Sequence, residues 1–171
     1  MHKPGLKRAA MSPESYRALM RHQAGAVTVI AAGEPGRRAG LTATAVSSLS
    51  DSPPTILVCI HKSSGAHAVI TEAKAFSVNI LASDQQLIAE RFAGKQGVSG
   101  EQRFAGAPWG RFGTGAPVLQ GALASLDCLL HEQHAFTTHS IFVGRVVGGA
   151  VRAEGEPLLY FRGDYWDLES R

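Results

Sequence analysis

Hydrophobic and polar positions change period several times along the chain, and each change marks an element. Ser12-Pro13-Glu14 places a side-chain acceptor, a proline and an acid where a helix begins, and Tyr16, Leu19 and Met20 follow at spacings of three and four. The pattern predicts a helix from Pro13 to about His22 or Gln23, laying one apolar stripe on the rest of the domain. At Gly25 the period changes. Ala26 to Ile30 is short and β-branched and ends at the turn cluster Gly33-Glu34-Pro35-Gly36, with a further strand beginning near Ala39. Thr55 to Ile60 and Ala75 to Ile80 read as strands on either side of a short helical segment around Ala66 to Glu72. Ser83-Asp84 is expected to cap a second helix, Gln85 to Phe92, which Gly94 stops.

Residues 93–117 are rich in glycine, with Phe104, Trp109 and Phe112 scattered among them, which predicts a long loop with hydrophobic anchors. The aromatic-bearing part, 104–112, is expected to supply contacts across an interface. Strand patterns return at Ala122 to Leu130, Ile141 to Val147 and Leu158 to Phe161, and Asp164-Tyr165-Trp166 closes the chain. Short strands apolar on both faces, with few and short helices, favour a small closed or nearly closed barrel over a doubly wound sheet.

The 171 residues suit one domain, residues 12–171, after a basic arm over residues 1–11 in which His2, Lys3, Lys7 and Arg8 read as solvated and flexible. A net charge of +3 makes no nucleic-acid footprint, and no apolar run reaches the roughly 20 residues that span a bilayer. A cytoplasmic protein with neither nucleic-acid nor membrane partners is expected. Cys59 and Cys128, with no CxxC, read as two buried thiols.

Most candidate chemistry fails on spacing. In His131-Glu132-Gln133-His134 a continuing strand would point the two histidines to opposite faces, so no metal site is expected. No GxGxxG, Walker lysine or GxSxG pattern is present. The exceptional tract is Gly40 to Ser50, where every residue except Leu41 and Leu49 is Gly, Ala, Thr, Ser or Val. Its backbone is thinly covered, so N–H groups and hydroxyls can approach a flat ligand. His61-Lys62-Ser63-Ser64 then offers a cation, two hydroxyls and free amides at a strand end, which suits a phosphate. A plain Thr/Ala strand followed by a polar turn would look the same by composition.

The run from Gly40 to Ser48, followed by Asp51 to Ile60, resembles the signature of the flavin reductase-like family, the reductase components of two-component flavin-dependent monooxygenases. Further matches follow in order: Phe76 to Leu81, Arg91 to Gly94, Glu101 to Phe104, Gly115 to Leu119, Ala124 to Cys128, Thr138-His139, and Leu158 to Gly163. They span about Tyr16 to Tyr165. The resemblance implies a split β-barrel of the FMN-binding type that dimerises and reduces FMN or FAD with NADH or NADPH. It places Leu41, Thr42, Ala43, Thr44, Ala45, Val46, Ser47 and Ser48 along the flavin, with Cys59 and Tyr160 among its contacts. His61, Lys62, Ser63 and Ser64 fall toward the phosphate, Arg91 and Phe92 near the flavin tail, and His139 toward the nicotinamide. A structural histidine closing a hairpin is the other reading of His139. The chain departs from the pattern at Ser47, where relatives carry Cys, at His61, where they carry Asn or Asp, and at Thr137, where they carry Gly.

Hydride transfer between two cofactors needs no general acid or base, which agrees with the absence of dyads and triads, so no catalytic side chain is expected. The implied partner is a monooxygenase component that takes the reduced flavin. Two alternatives share the architecture: a flavin-binding protein without turnover, and an oxidase of the pyridoxine-phosphate type.

Overall fold

β-Branched and small residues alternate in short runs, and in the computed structural model, which describes residues 10–168, they build a sheet of seven strands. Most of the expected arm lies outside those residues; Ala10 and Met11 are exposed. The first helix, α1 (Pro13–Met20), begins as expected, with the Ser12 hydroxyl accepting from the Ser15 N–H at 3.2 Å. It stops earlier than expected, at Met20, because the chain turns at once into strand pairing. None of its residues is buried, so the apolar stripe faces outward instead of lying on the domain.

The expected strand at Ala26 to Ile30 is two strands, β1 (Gly25–Ala26) and β2 (Thr28–Ala32). Val27 between them changes partner: its N–H donates to the Leu158 carbonyl and its carbonyl accepts from Leu81, both at 2.9 Å. After β2 come β3 (Ala39–Ala43), β4 (Val46–Asp51), β5 (Pro54–His61), α2 (Gly65–Ala73), β6 (Ala75–Ile80) and α3 (Gln86–Phe92). A 3₁₀ turn, Ser83–Gln85, precedes α3. Gln85 stands at the N-cap of α3 without a side-chain capping bond to it; its side-chain oxygen accepts the Ala82 N–H at 3.0 Å and closes the 3₁₀ turn, and neither Ser83 nor Asp84 caps α3.

The expected loop 93–117 contains a 3₁₀ turn, Gly100–Phe104, and half of a hairpin made by β7 (Trp109–Arg111) and β8 (Pro117–Leu119). Buried polar groups hold it down. Asn79 accepts from the Leu119 N–H at 2.9 Å, and the buried Asp127 carboxylate accepts from the N–H and hydroxyl of Thr114. Phe104 is buried and packs on the half-buried Trp109, so two of the three aromatics anchor the loop to the second core and Phe112 is the one substantially exposed.

The last strands are β9 (Ala124–Ala135), β10 (His139–Val151), β11 (Leu159–Phe161) and β12 (Asp164–Trp166). β9 and β10 run further toward their shared turn than their patterns announce. The main sheet is antiparallel in the order β3-β2-β6-β9-β10-β5-β4. Its edge strands, β3 and β4, are joined by Thr44 and Ala45 alone, so the sheet curls until its edges lie within the reach of two residues. No ladder joins them among the described residues, and no closed barrel forms. The curl encloses a core of Phe76, Phe142, Ile30 and Ile60, covered by Ala66 and Ile70 of α2. Packing there is close enough that a Cβ on Gly144 would stand 2.5 Å from the Phe76 ring, at the bulge where β10 slips against β9. A second core gathers Val27, Leu81, Phe92, Phe104 and Leu119.

Candidate functional site

The corner between β3 and β4 is where the sheet leaves backbone uncovered. β4 ends the sheet, so alternate N–H and carbonyl groups from Val46 to Asp51 face away from β5 without a ladder partner. Gly25 of β1 passes so close that a Cβ there would meet the Thr44 Cβ at 3.1 Å. Together with Ala45, Val46 and Ser47, the half-buried Leu57 and Cys59 of β5, Met20 at the end of α1 and Gln23 beyond it, these residues line an open groove of about 390 Å³. Small side chains leave it flat. Thr44, Ala45, Ser47 and Ser48 are exposed to it or beside it.

Not every residue of the tract faces this groove. The Thr42 hydroxyl donates to the Ala89 carbonyl at 2.6 Å, tying β3 to α3, and Leu41 and Ala43 pack against the main core. Met20, Gln23 and Leu57 are not among the expected site residues; only their position beside the tract in space reveals them.

Two residues beyond Cys59 on the same face of β5, roughly 7 Å along the strand, stands His61. His139 lies directly opposite it on β10, and the ring centroids are 4.8 Å apart with planes at 78°. The His61 Nδ1 accepts the Ser63 N–H at 3.1 Å and lies 2.8 Å from the Ser63 hydroxyl. The Lys62 ammonium donates to the Phe136 carbonyl at the tip of the β9–β10 turn. Ser64 is the N-cap residue of α2, yet its side chain makes no capping bond; the His67 N–H donates to the Ser64 carbonyl at 3.0 Å, which leaves the Ser64 hydroxyl and the Gly65 and Ala66 N–H groups for an acceptor. The structure thus brings the His61 to Ser64 turn and His139 together at one end of the face that carries the groove.

Other expected site residues lie elsewhere. Phe92 is buried in the second core against Phe104 and Trp109, and with Arg91 it borders a different groove, of about 250 Å³, between α3 and the loop that follows it. Arg91 donates to the Ala105 carbonyl and, at 2.9 Å, to Gln96, which fastens the loop after α3. Tyr160 pairs with Gly25 and packs on Tyr165 at 5.4 Å. Burial, with Glu90 and Tyr160 nearby, pushes the Tyr165 phenol up, so it stays protonated.

His131 and His134 do not point apart as a regular strand would have them. The bulge at His131 lets both approach Glu132, at 3.7 and 2.7 Å. Among the described residues no group of three or more His, Cys, Asp or Glu is placed to hold a metal. The cysteines differ: Cys59 is half-buried beside the groove, whereas burial and the Asp127 charge push the Cys128 thiol up to about 12, leaving it an inert part of the core. No described helix is long and apolar enough to cross a membrane.

Comparison with known proteins gives this geometry its context. The family model described as flavin reductase like domain matches residues 20–169. A protein of Methylorubrum extorquens (strain PA1) named FMN reductase (NADH) RutF 2 is 42% identical over 151 residues, covering 88% of this chain and 87% of its own. Among solved structures, BorF, the flavin reductase component of a bacterial two-component tryptophan halogenase, superimposes with a TM-score of 0.85 at 33% identity, over 94% of this chain and all of its own. The NADH:FAD oxidoreductase SgcE6 of Streptomyces globisporus C-1027, in complex with NAD and FAD fragments, has a TM-score of 0.83 at 27% identity, over 94% of this chain and 97% of its own.

Proposed function

The chain belongs to the flavin reductase like domain family, and on that premise we propose that it reduces FMN or FAD with NADH and releases the reduced flavin to a partner oxygenase or halogenase component. The observation that carries this reading is the groove itself. It is open, flat, lined by small residues and bounded by an edge strand with unpaired amides. These are the features an isoalloxazine ring requires, because its faces need apolar contact while its rim needs hydrogen bonds.

Hydride transfer from nicotinamide to flavin is chemistry the two cofactors supply between them. The chain's task is to hold them in order. Thr44, Ala45 and Ser47 offer edge backbone groups and hydroxyls to the ring and its side chain, Val46, whose N–H is held by the Thr44 carbonyl at 3.0 Å, adds apolar contact, and Cys59 with Leu57 forms the apolar floor. Lys62, the Ser64 hydroxyl and the first turn of α2 supply donors and positive potential for a phosphate. Ser48, exposed on β4, extends the polar edge toward that turn. Tyr160, two strands away through Gly25, supports the floor. His139 faces the nicotinamide. Arg91 and Phe92 are not part of the site in this reading, since one fastens a loop and the other fills the core.

The finer architecture belongs to the same proposal. Residues 12–171 form one split-barrel domain, with β3 and β4 as the lips of the split. A second copy of the chain covers the exposed face beside the groove. NADPH serves as donor less readily than NADH, as the names of the relatives suggest.

Steady-state NADH consumption in air, measured without flavin and with FMN, FAD or riboflavin, tests the reading. Consumption that requires flavin is expected. No consumption would leave a storage protein, and oxidation of a phosphorylated pyridoxine substrate instead would indicate the oxidase.

A further inference from the structure

His61 and His139 face each other across the β5–β10 pair, edge to face, and both are exposed. An exposed imidazole ordinarily spreads over several rotamers, so a fixed ring needs a fixed neighbour. The His139 Nδ1 meets the hydroxyl of Thr138, its own chain neighbour, at 2.9 Å. The next residue, Ser140, is buried and turned to His67, at 2.9 Å, and gives His139 no support. Across the strand pair the ring meets His61, with centroids 4.8 Å apart. The His61 ring is itself held, since its Nδ1 accepts the Ser63 N–H. A backbone N–H can only donate, so Nδ1 carries no proton in this arrangement and the hydrogen of the neutral ring sits on Nε2.

We propose that His61 is a positioning residue: Ser63 fixes its ring, and the ring fixes His139 in the orientation against which the nicotinamide docks. His61 acts through His139 and is not a ligand of the flavin phosphate. The proposal rests on the reductase reading and adds to it a residue whose sequence position suggested a phosphate contact instead. It also has a consequence for flavin. The Ser63 N–H and hydroxyl are engaged by His61, so removing the imidazole frees two donors beside the phosphate turn.

The test uses the full chain and the variants His61→Ala, His61→Asn, His61→Phe, His139→Ala and the His61→Ala/His139→Ala pair. Two quantities are read: the KM for NADH at saturating FMN, and the Kd for FMN by fluorescence quenching. His61→Ala is expected to raise the NADH KM about two- to tenfold, the range of an aromatic pair, with FMN binding unchanged or tighter. His61→Asn keeps an acceptor for Ser63 but no ring, and should behave like Ala. His61→Phe keeps the edge contact and should recover most of the loss, which a general effect on folding would not do. In the His139→Ala background, removing His61 should add nothing further.

Weaker FMN binding with an unchanged NADH KM would make His61 a phosphate ligand and overturn the proposal. Additive effects of the two alanine substitutions, or an NADH KM indifferent to His61, would overturn it as well. Failure of the reductase reading is distinct from these: the unmodified protein would then consume no NADH with any flavin.

Discussion

Thr42 sits in the tract that looks most like a ligand surface, yet its hydroxyl supports α3 through the Ala89 carbonyl. Thr42→Val keeps the shape and removes the donor, so unfolding in denaturant should show a loss of about 0.5–1.5 kcal/mol while FMN affinity stays the same. Gly144 is constrained by packing: a methyl group there meets the Phe76 ring and the Cys128 Cβ, and Gly144→Ala should cost about 1–3 kcal/mol by the same measurement. Glu101 governs acid behaviour. Hydrogen bonds from Arg38 hold its carboxyl below the ordinary value of 4.5. A carboxylate depressed in the folded state contributes stability above its unfolded value, and that contribution fades as pH falls through the lower, folded one. Melting temperatures of the unmodified protein and Glu101→Gln should therefore differ at pH 7 and converge as the pH drops below about 4. Convergence at high pH instead would reverse the sign. At this scale residue type singled out Ser64 and the Thr44 to Ser47 run in the sequence and resemblance alone singled out His139; the fold sets the run along the groove and brings Ser64 and His139 to one end of that face. The sequence could not tell that Phe92 is core or that Arg91 is a loop fastener, since both depend on Phe104, Trp109 and Ala105, which reach them only in the fold.

The elements divide by whether one face is buried. β6 lies where its pattern puts it, because the alternation of Phe76, Val78 and Ile80 with Ser77 and Asn79 survives in the sequence. β7 is three residues long inside the glycine-rich stretch expected to be loop, and β8 overlaps that stretch only at Pro117. The outer arms of β9 and β10, from His131 to Ala135 and at His139, are exposed on both faces, so no alternation announces them. The break at Thr44-Ala45 was also hidden: an unbroken run of small residues gives no sign that the chain crosses from one sheet edge to the other. The α1 stripe carried a correct helix signal and a wrong destination. Tyr16 and Leu19 are more than half exposed, so Leu19→Asp should leave the stability of a single chain within about 0.5 kcal/mol. A larger loss under conditions where the chain is dimeric would place α1 in the contact between copies, and the dependence of that loss on protein concentration would show it.

For the whole molecule, Tyr16, Leu19, Leu49, Leu129 and Phe136 are large apolar side chains exposed on a single chain, and a second copy would remove some of them from water. Sedimentation equilibrium at micromolar concentration should report twice the 18.1 kDa of one chain; a species of 18.1 kDa alone would contradict a covered face. The central claim is that the curled sheet, split between β3 and β4, holds a flavin where a nicotinamide can reach it. The direct measurement is an anaerobic one, with the protein in catalytic amount, NADH and FMN mixed at equal concentration, and the absorbance bands of NADH and oxidised flavin followed together. The expected result is that both bands fall at the same rate and to the same extent, one NADH for each flavin. NADH that persists beside oxidised flavin, or that disappears while the flavin stays oxidised, would contradict it.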